Sequence, residues 1–282
     1  MNIVKKLELL EHLTTSEQCV QQFILNNPQL FLDSKPSDIA DMSHVSLPTL
    51  YRLVNKLKLN GVQELKLEIA SSLNQETHSD IDINFPISSE DSVYQSMCHL
   101  KEVYSKTIED TLDLADPDKI IEIAKLLNQA SCIDIYTTSA NVYFAKNFQF
   151  QMQEINKLVQ VPTEEYTTQL MAANSDESHV AIIVSFGGRG RITRMILPIL
   201  KENHVRTILI TSNQNKHLIP EVDYVVYMSS IEDHFHKMSS FATRLTLLYI
   251  FDTLYATVFK LNYEGNAKLK YESYKKMNPS LK

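Results

Sequence analysis

The chain has 282 residues, 44% hydrophobic and 22% charged, with a formal net charge of -7. This is more than the roughly 100–200 residues of a typical single domain, so two domains are expected. No apolar run approaches the roughly 18 residues of a membrane span, which excludes a membrane partner. The acidic balance also excludes a protein that coats nucleic acid over its whole surface, while leaving room for a local basic patch.

The N-terminus, MNIVKKLELLEHL, alternates charge into its apolar stretch, unlike a signal peptide, so a cytoplasmic protein is expected. Cys19, Cys98 and Cys132 lie far apart and are odd in number. That suits reduced core thiols better than a disulfide framework. No zinc-binding spacing occurs, and neither a metal nor a cofactor is expected.

Residues 1–73 read as short helices, with apolar periodicity in Val20, Phe23 and Ile24 and again in Leu50, Leu53, Val54 and Leu57. Residues 74–90 are polar and acidic and read as a linker. A helical pattern then runs from about Val93 to Leu114, and Asp116-Pro117 starts another. Beyond it, β-type runs at Cys132–Tyr136, Val180–Ser185, Thr207–Thr211 and Tyr224–Met228 alternate with helical stretches near 142–157, 191–203 and 239–261. That alternation predicts βαβ units and a parallel sheet covered on both faces over residues 91–282. The Lys-rich end reads as a surface helix or frayed tail. The fold class is therefore α followed by α/β: an all-helical domain and then a doubly wound domain.

Within KPSDIADMSHVSLPTLYRLVNKLK, a short helix carrying Ile39 and Ala40 gives way to a turn, and a second helix begins near Ser46, a candidate N-cap. On the second helix Thr49, Arg52 and Lys56 are expected on one outward face beside Tyr51 and Asn55. Arg and Asn side chains can pair bidentately with guanine and adenine edges, while Lys56 and Ser46 suit phosphates. Between residues 45 and 67, Arg52, Lys56, Lys58 and Lys66 face only Glu64, a locally basic stretch.

Leu13-Thr14, Ile24–Pro28, Ile39-Ala40, Val45–Thr49, Arg52 and Gly61–Lys66 together resemble the N-terminal domain of the RpiR/MurR family of bacterial regulators. The resemblance implies a helix-turn-helix that binds double-stranded operator DNA. Lys58 departs from it, standing where the family usually has a glycine that ends the recognition helix. The helix stop is accordingly expected to shift towards Asn60-Gly61.

Three of the five glycines, Gly187, Gly188 and Gly190, follow the apolar run HVAIIVSF. A strand, a glycine turn and a helix place free backbone N–H groups where an anion is favoured, and Arg189, Arg191 and Arg194 add charge. The segments IDIYTTSANVYFAKNF, VAIIVSFGGRGRI and VRTILITS resemble blocks of the SIS (sugar isomerase) domain found in the same family. This implies a sugar phosphate or related effector, control of carbohydrate uptake or metabolism genes, and a homodimer or homotetramer. Thr138, Ser139, Asn141, Ser185, Gly187, Gly188, Arg189 and Gly190 are the candidate effector contacts. Where the family often has "GxGxS" and "SxSGxT", this chain has Thr137–Asn141 and Ser185–Gly190, so several phosphate-binding hydroxyls are replaced. The closing helix, with Arg244, Leu248, Asp252, Leu254 and Tyr255, is expected to pack the core and to serve a dimer.

Two other readings compete. A phosphosugar isomerase would draw its proton-moving group from Glu232, Asp233, His234 and His236. A ligand-independent DNA-binding protein would use the SIS domain only to dimerise.

Overall fold

The computed structural model describes residues 3–75, 81–188, 190–215, 218–229 and 231–278. The chain divides into two compact units, Met1–Asp80 with Leu112–Leu114 and Ile81–Thr111 with Ala115–Lys282. Among the described residues no helix is long and apolar enough to cross a membrane.

The described part of the first unit is helical: α1 (Ile3–Glu8), α2 (Thr15–Asn26), α3 (Pro28–Asp33), α4 (Pro36–Met42), α5 (Leu47–Lys56) and α6 (Val62–Gln75). Prolines open α3 and α4 at positions where a missing N–H costs nothing. A capping box opens α2: Thr14 Oγ1 accepts from the Glu17 N–H, and Glu17 Oε2 accepts from the Thr14 N–H at 2.8 Å. Val20, Ile24, Phe31, Ile39, Leu50, Leu53, Val54 and Leu57 close the core. These include the apolar positions whose spacing predicted the helices.

The second unit contains α7 (Val93–Leu114) as far as Thr111, and α8 (Pro117–Gln129), the latter capped by Asp116, whose side chain accepts from the Lys119 N–H. There follow β1 (Cys132–Tyr136), α9 (Asn141–Gln153), β2 (Val159–Gln160), α10 (Glu165–Asn174), β3 (His179–Val184), α11 (Arg191–Glu202), β4 (Arg206–Ser212), β5 (Tyr224–Met228), α12 (Phe241–Leu261) and α13 (Tyr263–Met277). The strands pair in parallel in the order β2-β1-β3-β4-β5. Strand alternation sends Ile133, Ile135, Val180, Ile182 and Ile210 to one face, against α8, α9 and α12. Tyr136, Ala181, Ile183 and Leu209 go to the other, against α10 and α11. β2 and α10 had no counterpart in the sequence reading. Residues 81–90 belong to the second unit, where Asn84 Oδ1 accepts from the Asp233 N–H at 2.7 Å and Asn84 O from the Met238 N–H at 2.8 Å.

All three cysteines are free, but the expectation of core thiols holds for Cys132 alone, since Cys19 is exposed and Cys98 half-buried. Burial and the nearby Asp134 carboxylate push the Cys132 thiol up to about 11, so it is protonated and donates to Asp134.

The expected shift of the helix stop after α5 does not occur. Lys58 itself takes the left-handed conformation, with φ of 61°. The Lys58 N–H reaches Asn55 O at 2.9 Å and the Leu59 N–H reaches Val54 O at 3.3 Å. That bond pair ends a helix whether or not the left-handed residue is glycine; a side chain there only adds strain. Replacing it with Lys58→Gly should therefore raise stability by about 0.5–1 kcal/mol, after subtracting the entropy glycine loses on folding. Urea denaturation midpoints measure this, and a lower midpoint would show that the Lys58 side chain offsets its own strain.

Candidate DNA-reading helix and ligand crevice

The turn between α4 and α5 is built like the one after α5. His44 sits at φ 56°, its N–H bonds Asp41 O, and the Val45 N–H bonds Ala40 O. Ser46 follows in extended conformation as the N-cap of α5. Its hydroxyl lies 3.0 Å from Thr49 Oγ1 and makes no bond to a backbone N–H, which corrects the expected cap bond while keeping the position.

Thr49 is buried at 3% exposure, so it does not share the outward face predicted for it. Its hydroxyl accepts from Arg52 Nη2 at 2.9 Å and lies 3.0 Å from Ser46 Oγ. Tyr51, Arg52 and Asn55 are exposed, as are Leu47 and Pro48. Lys56 is exposed, as expected, but its ammonium donates to Glu17 Oε2 at 2.7 Å and His12 O at 2.9 Å. Lys66 donates to Leu32 O and Ser34 O. Two of the four cations read as a basic patch are thus engaged inside the unit, and Arg52 is the cation on the exposed face of α5.

In the second unit the chain leaves β1 in one direction, through α9 to β2, and returns through α10 to β3 on the other side of β1. The carboxyl ends of β1 and β3 therefore diverge into a crevice, where open α/β sheets hold ligands. On the β1 side lie exposed Thr138 and Ser139, the latter at φ 57°, and half-buried Asn141, the first residue of α9. Thr137, at the root of that loop, is buried, and its Oγ1 has no hydrogen-bond partner among the described residues.

The β3 side carries half-buried Ser185, exposed Gly187, buried Gly188 and exposed Gly190, which caps α11; Arg189 lies outside the described residues. Gly188 has φ 68°, and a Cβ there would fall 2.3–2.5 Å from Asn215 side-chain atoms, so only glycine fits; around Gly187 the space is open. Neither α9 nor α11 has a side-chain cap bond; in α9 the Val142 and Tyr143 N–H groups turn back to Ser139 O and Ala140 O, so α11 begins the more openly at the crevice. Arg191 is paired with Glu165 at 2.6 Å.

Sequence reasoning missed the groups that hold this loop. Thr211 Oγ1 lies 2.7 Å from Ser185 O and 3.1 Å from Phe186 O as their donor, and accepts from Asn215 Nδ2 at 2.8 Å. The Ser212 N–H bonds Phe186 O. The polar run TSNQN directly after an apolar strand was the available signal.

The groups an isomerase would need are engaged. Glu232 is buried and caps α12, accepting from the Ala242 and Thr243 N–H groups, the Thr243 hydroxyl and Lys237. Asp233 accepts from the Phe235 and His236 N–H groups, which hold its carboxyl below its usual range. His234 stacks on Phe186, and His236 packs against Phe85.

A helix-turn-helix with an exposed second helix, followed by a doubly wound parallel domain with a switch-point crevice, defines a DNA-binding regulator carrying a ligand-binding domain. Residues 1–76 match the model of the helix-turn-helix domain of the rpiR family, and residues 126–255 match that of the SIS domain. The chain belongs to the RpiR family of transcriptional regulators. It is 26% identical to the HTH-type transcriptional regulator HexR of Escherichia coli over 262 residues, 93% of this chain and 89% of that one. It is 25% identical over 257 residues to an HTH-type transcriptional regulator of Haemophilus influenzae, covering 90% and 89%. The structure of Vibrio vulnificus NanR complexed with ManNAc-6P matches at a TM-score of 0.59 and 16% identity, over 99% of this chain and 98% of that one. The sugar isomerase domain of an RpiR transcription factor from Sphaerobacter thermophilus matches at 0.54 and 18% identity, covering 62% and 97%.

The bonds to Lys56 and to Thr14 depress the Glu17 carboxyl from its ordinary 4.5 to about 2. A depressed carboxylate adds stability above its unfolded pKa and loses it as pH falls through the folded value. The helical unit should therefore weaken between pH 4.5 and about 2. Discounted for the exposure of Lys56, the loss is on the order of 2 kcal/mol. Denaturation curves of wild type and Glu17→Gln across that window test this; an equal acid slope in both would remove Glu17 as its source.

Proposed function

We propose that this regulator reads operator DNA with α5 and is controlled by a sugar phosphate, or a closely related polar sugar, bound in the crevice between β1 and β3. What carries this reading is the outward face of α5, where Tyr51, Arg52 and Asn55 project from a helix-turn-helix with their neighbours' polar atoms already satisfied. Arg52 and Asn55 would contact base edges, Ser46 and Tyr51 phosphates, while Thr49 and Lys56 hold the helix in place from within. A dimer or tetramer would present paired recognition helices to a pseudo-palindromic site.

The N-termini of α9 and α11, neither with a side-chain cap bond, favour an anion, and the unpartnered Thr137 hydroxyl favours a polar ligand beside them. Thr138, Ser139, Asn141, Ser185, Gly187, Gly188, Arg189 and Gly190 are the proposed contacts. NanR, similar in fold, is described in complex with ManNAc-6P, which agrees with a phosphorylated effector. An effector acts by binding more tightly to the subunit arrangement that does, or does not, match the operator. The capped state of Glu232 supports a regulator over an isomerase.

Binding of the chain to its own promoter DNA over a salt series, with and without a panel of sugar phosphates, tests both halves. Specific, salt-sensitive binding altered by one compound is the expected result. Arg52→Ala should weaken operator binding by about 1–3 kcal/mol with the fold intact, and unchanged binding would remove α5 as the reading helix. Thr137→Val should cost no stability, because it deletes a buried hydroxyl that lacks a partner, yet weaken the effector by about 0.5–1.5 kcal/mol. Unchanged effector affinity would place the ligand away from β1.

A further inference from the structure

At the amino end of the sheet, opposite the crevice, three metal-type side chains meet on one face of β1 and β3, with the Gln160 amide of β2 beside them. Cys132 and Asp134 are two apart on β1 and so share a face; in register, Cys132 lies opposite His179 of β3, and Asp134 opposite Gln160 of β2. Ligand atoms of Cys132, Asp134 and His179 all lie within 4.8 Å of one another. Cys132 Sγ is 3.4 Å from Asp134 Oδ1, His179 Nδ1 is 2.8 Å from Asp134 Oδ2, and the Gln160 amide nitrogen is 3.3 Å from Cys132 Sγ.

We propose that Cys132, Asp134, His179 and Gln160 form a structural site for a zinc-class divalent cation. Bond lengths of about 2.0–2.3 Å put tetrahedral donor atoms about 3.3–3.8 Å apart, so this cluster closes on a cation with small side-chain shifts. The Gln160 amide, turned over, offers its oxygen as the fourth donor. One sulfur and one imidazole beside oxygen donors suit zinc, not magnesium or calcium, which take oxygen alone. Asp134 is fully buried, and a buried carboxylate is favoured by a cation in contact with it. Ser175 Oγ donates to Asp134 Oδ2 at 2.8 Å and orients it from behind. The exposed side of Gln160 and the partly exposed His179 leave a way in.

On binding, the thiol proton of Cys132 passes to solvent, and His179 coordinates through a ring nitrogen that carries no proton. The cation then staples the two-residue edge strand β2 to β1 and β3. Sequence spacing hides the site because its donors come from three strands.

The test uses full-length Cys19→Ser/Cys98→Ser protein, in which Cys132 is the sole thiol, stripped with a chelator and titrated with cobalt(II). The expected result is one equivalent bound per chain with thiolate-to-cobalt charge-transfer absorption, displaced by zinc. Zinc should raise the thermal midpoint of the same protein, and Ser175→Ala should weaken zinc roughly tenfold. No uptake, or uptake without the thiolate band, overturns the proposal, as does a band that survives Cys132→Ala.

Discussion

A parallel sheet buried on both faces leaves its chain few places to put polar groups, and the reversal between β1 and β3 is the one the second unit depends on. The backbone leaves these neighbouring strands in opposite directions, so no connection crosses between their carboxyl ends. The β3 wall of the gap is stiffened from beneath. The Thr211 hydroxyl and the Ser212 N–H, at the end of β4, hold the carbonyls of Ser185 and Phe186, Asn215 donates to that hydroxyl, and the space taken by Asn215 makes glycine necessary at 188. A loop fixed in this way can present N–H groups to a ligand without paying to order them at binding.

In the helical unit the constraint is hydrogen bonding at helix ends. Short helices have a large share of unpaired carbonyls and N–H groups, and here lysines satisfy several of them: Lys6 at Leu57 O, Lys56 at His12 O, Lys66 at Leu32 and Ser34 O. The cations that look like a nucleic-acid patch in one dimension are partly the caps of a small bundle. On α5 itself the exposed face carries Tyr51, Arg52 and Asn55, so in the proposed reading hydrogen-bonding shape outweighs bulk charge. The net acidity of the chain fits the same division.

Periodicity made most of the helices, α10 excepted, and four of the strands legible, because a buried parallel strand is a run of β-branched residues and a bundle helix repeats its apolar side. β2 escaped because two residues carry no period, and its pairing is set by β1. The turn after α4 was legible in place, whereas the stop after α5 was expected too far along the chain. His44 and Lys58 take left-handed backbone where glycine would be expected, so the turn is dictated by the bonds that close it. Candidate site residues were legible as segments, since TTSAN follows the carboxyl end of β1 and SFGG that of β3. Their individual roles were not: whether Thr49 faces out or Lys56 is available depends on partners at Arg52 and Glu17 that spacing does not reveal.

The two ends of the sheet differ in how their polar groups are satisfied, and this distinguishes their chemistry. At the carboxyl end, Thr137 keeps a buried hydroxyl unpartnered and two helices begin without side-chain caps, a surplus of hydrogen-bonding capacity that a polar ligand meets. At the amino end, Asp134 is already in hydrogen-bond contact with Cys132, Ser175 and His179, which use most of its accepting capacity. A cation can enter there only by displacing protons, and its affinity must rise with pH. A ligand at the crevice displaces no such bonds, so its affinity follows its own charge state. The same strand alternation that buries isoleucines against α8 and α12 turns Asp134 towards α10, keeping these two polar regions apart within one sheet.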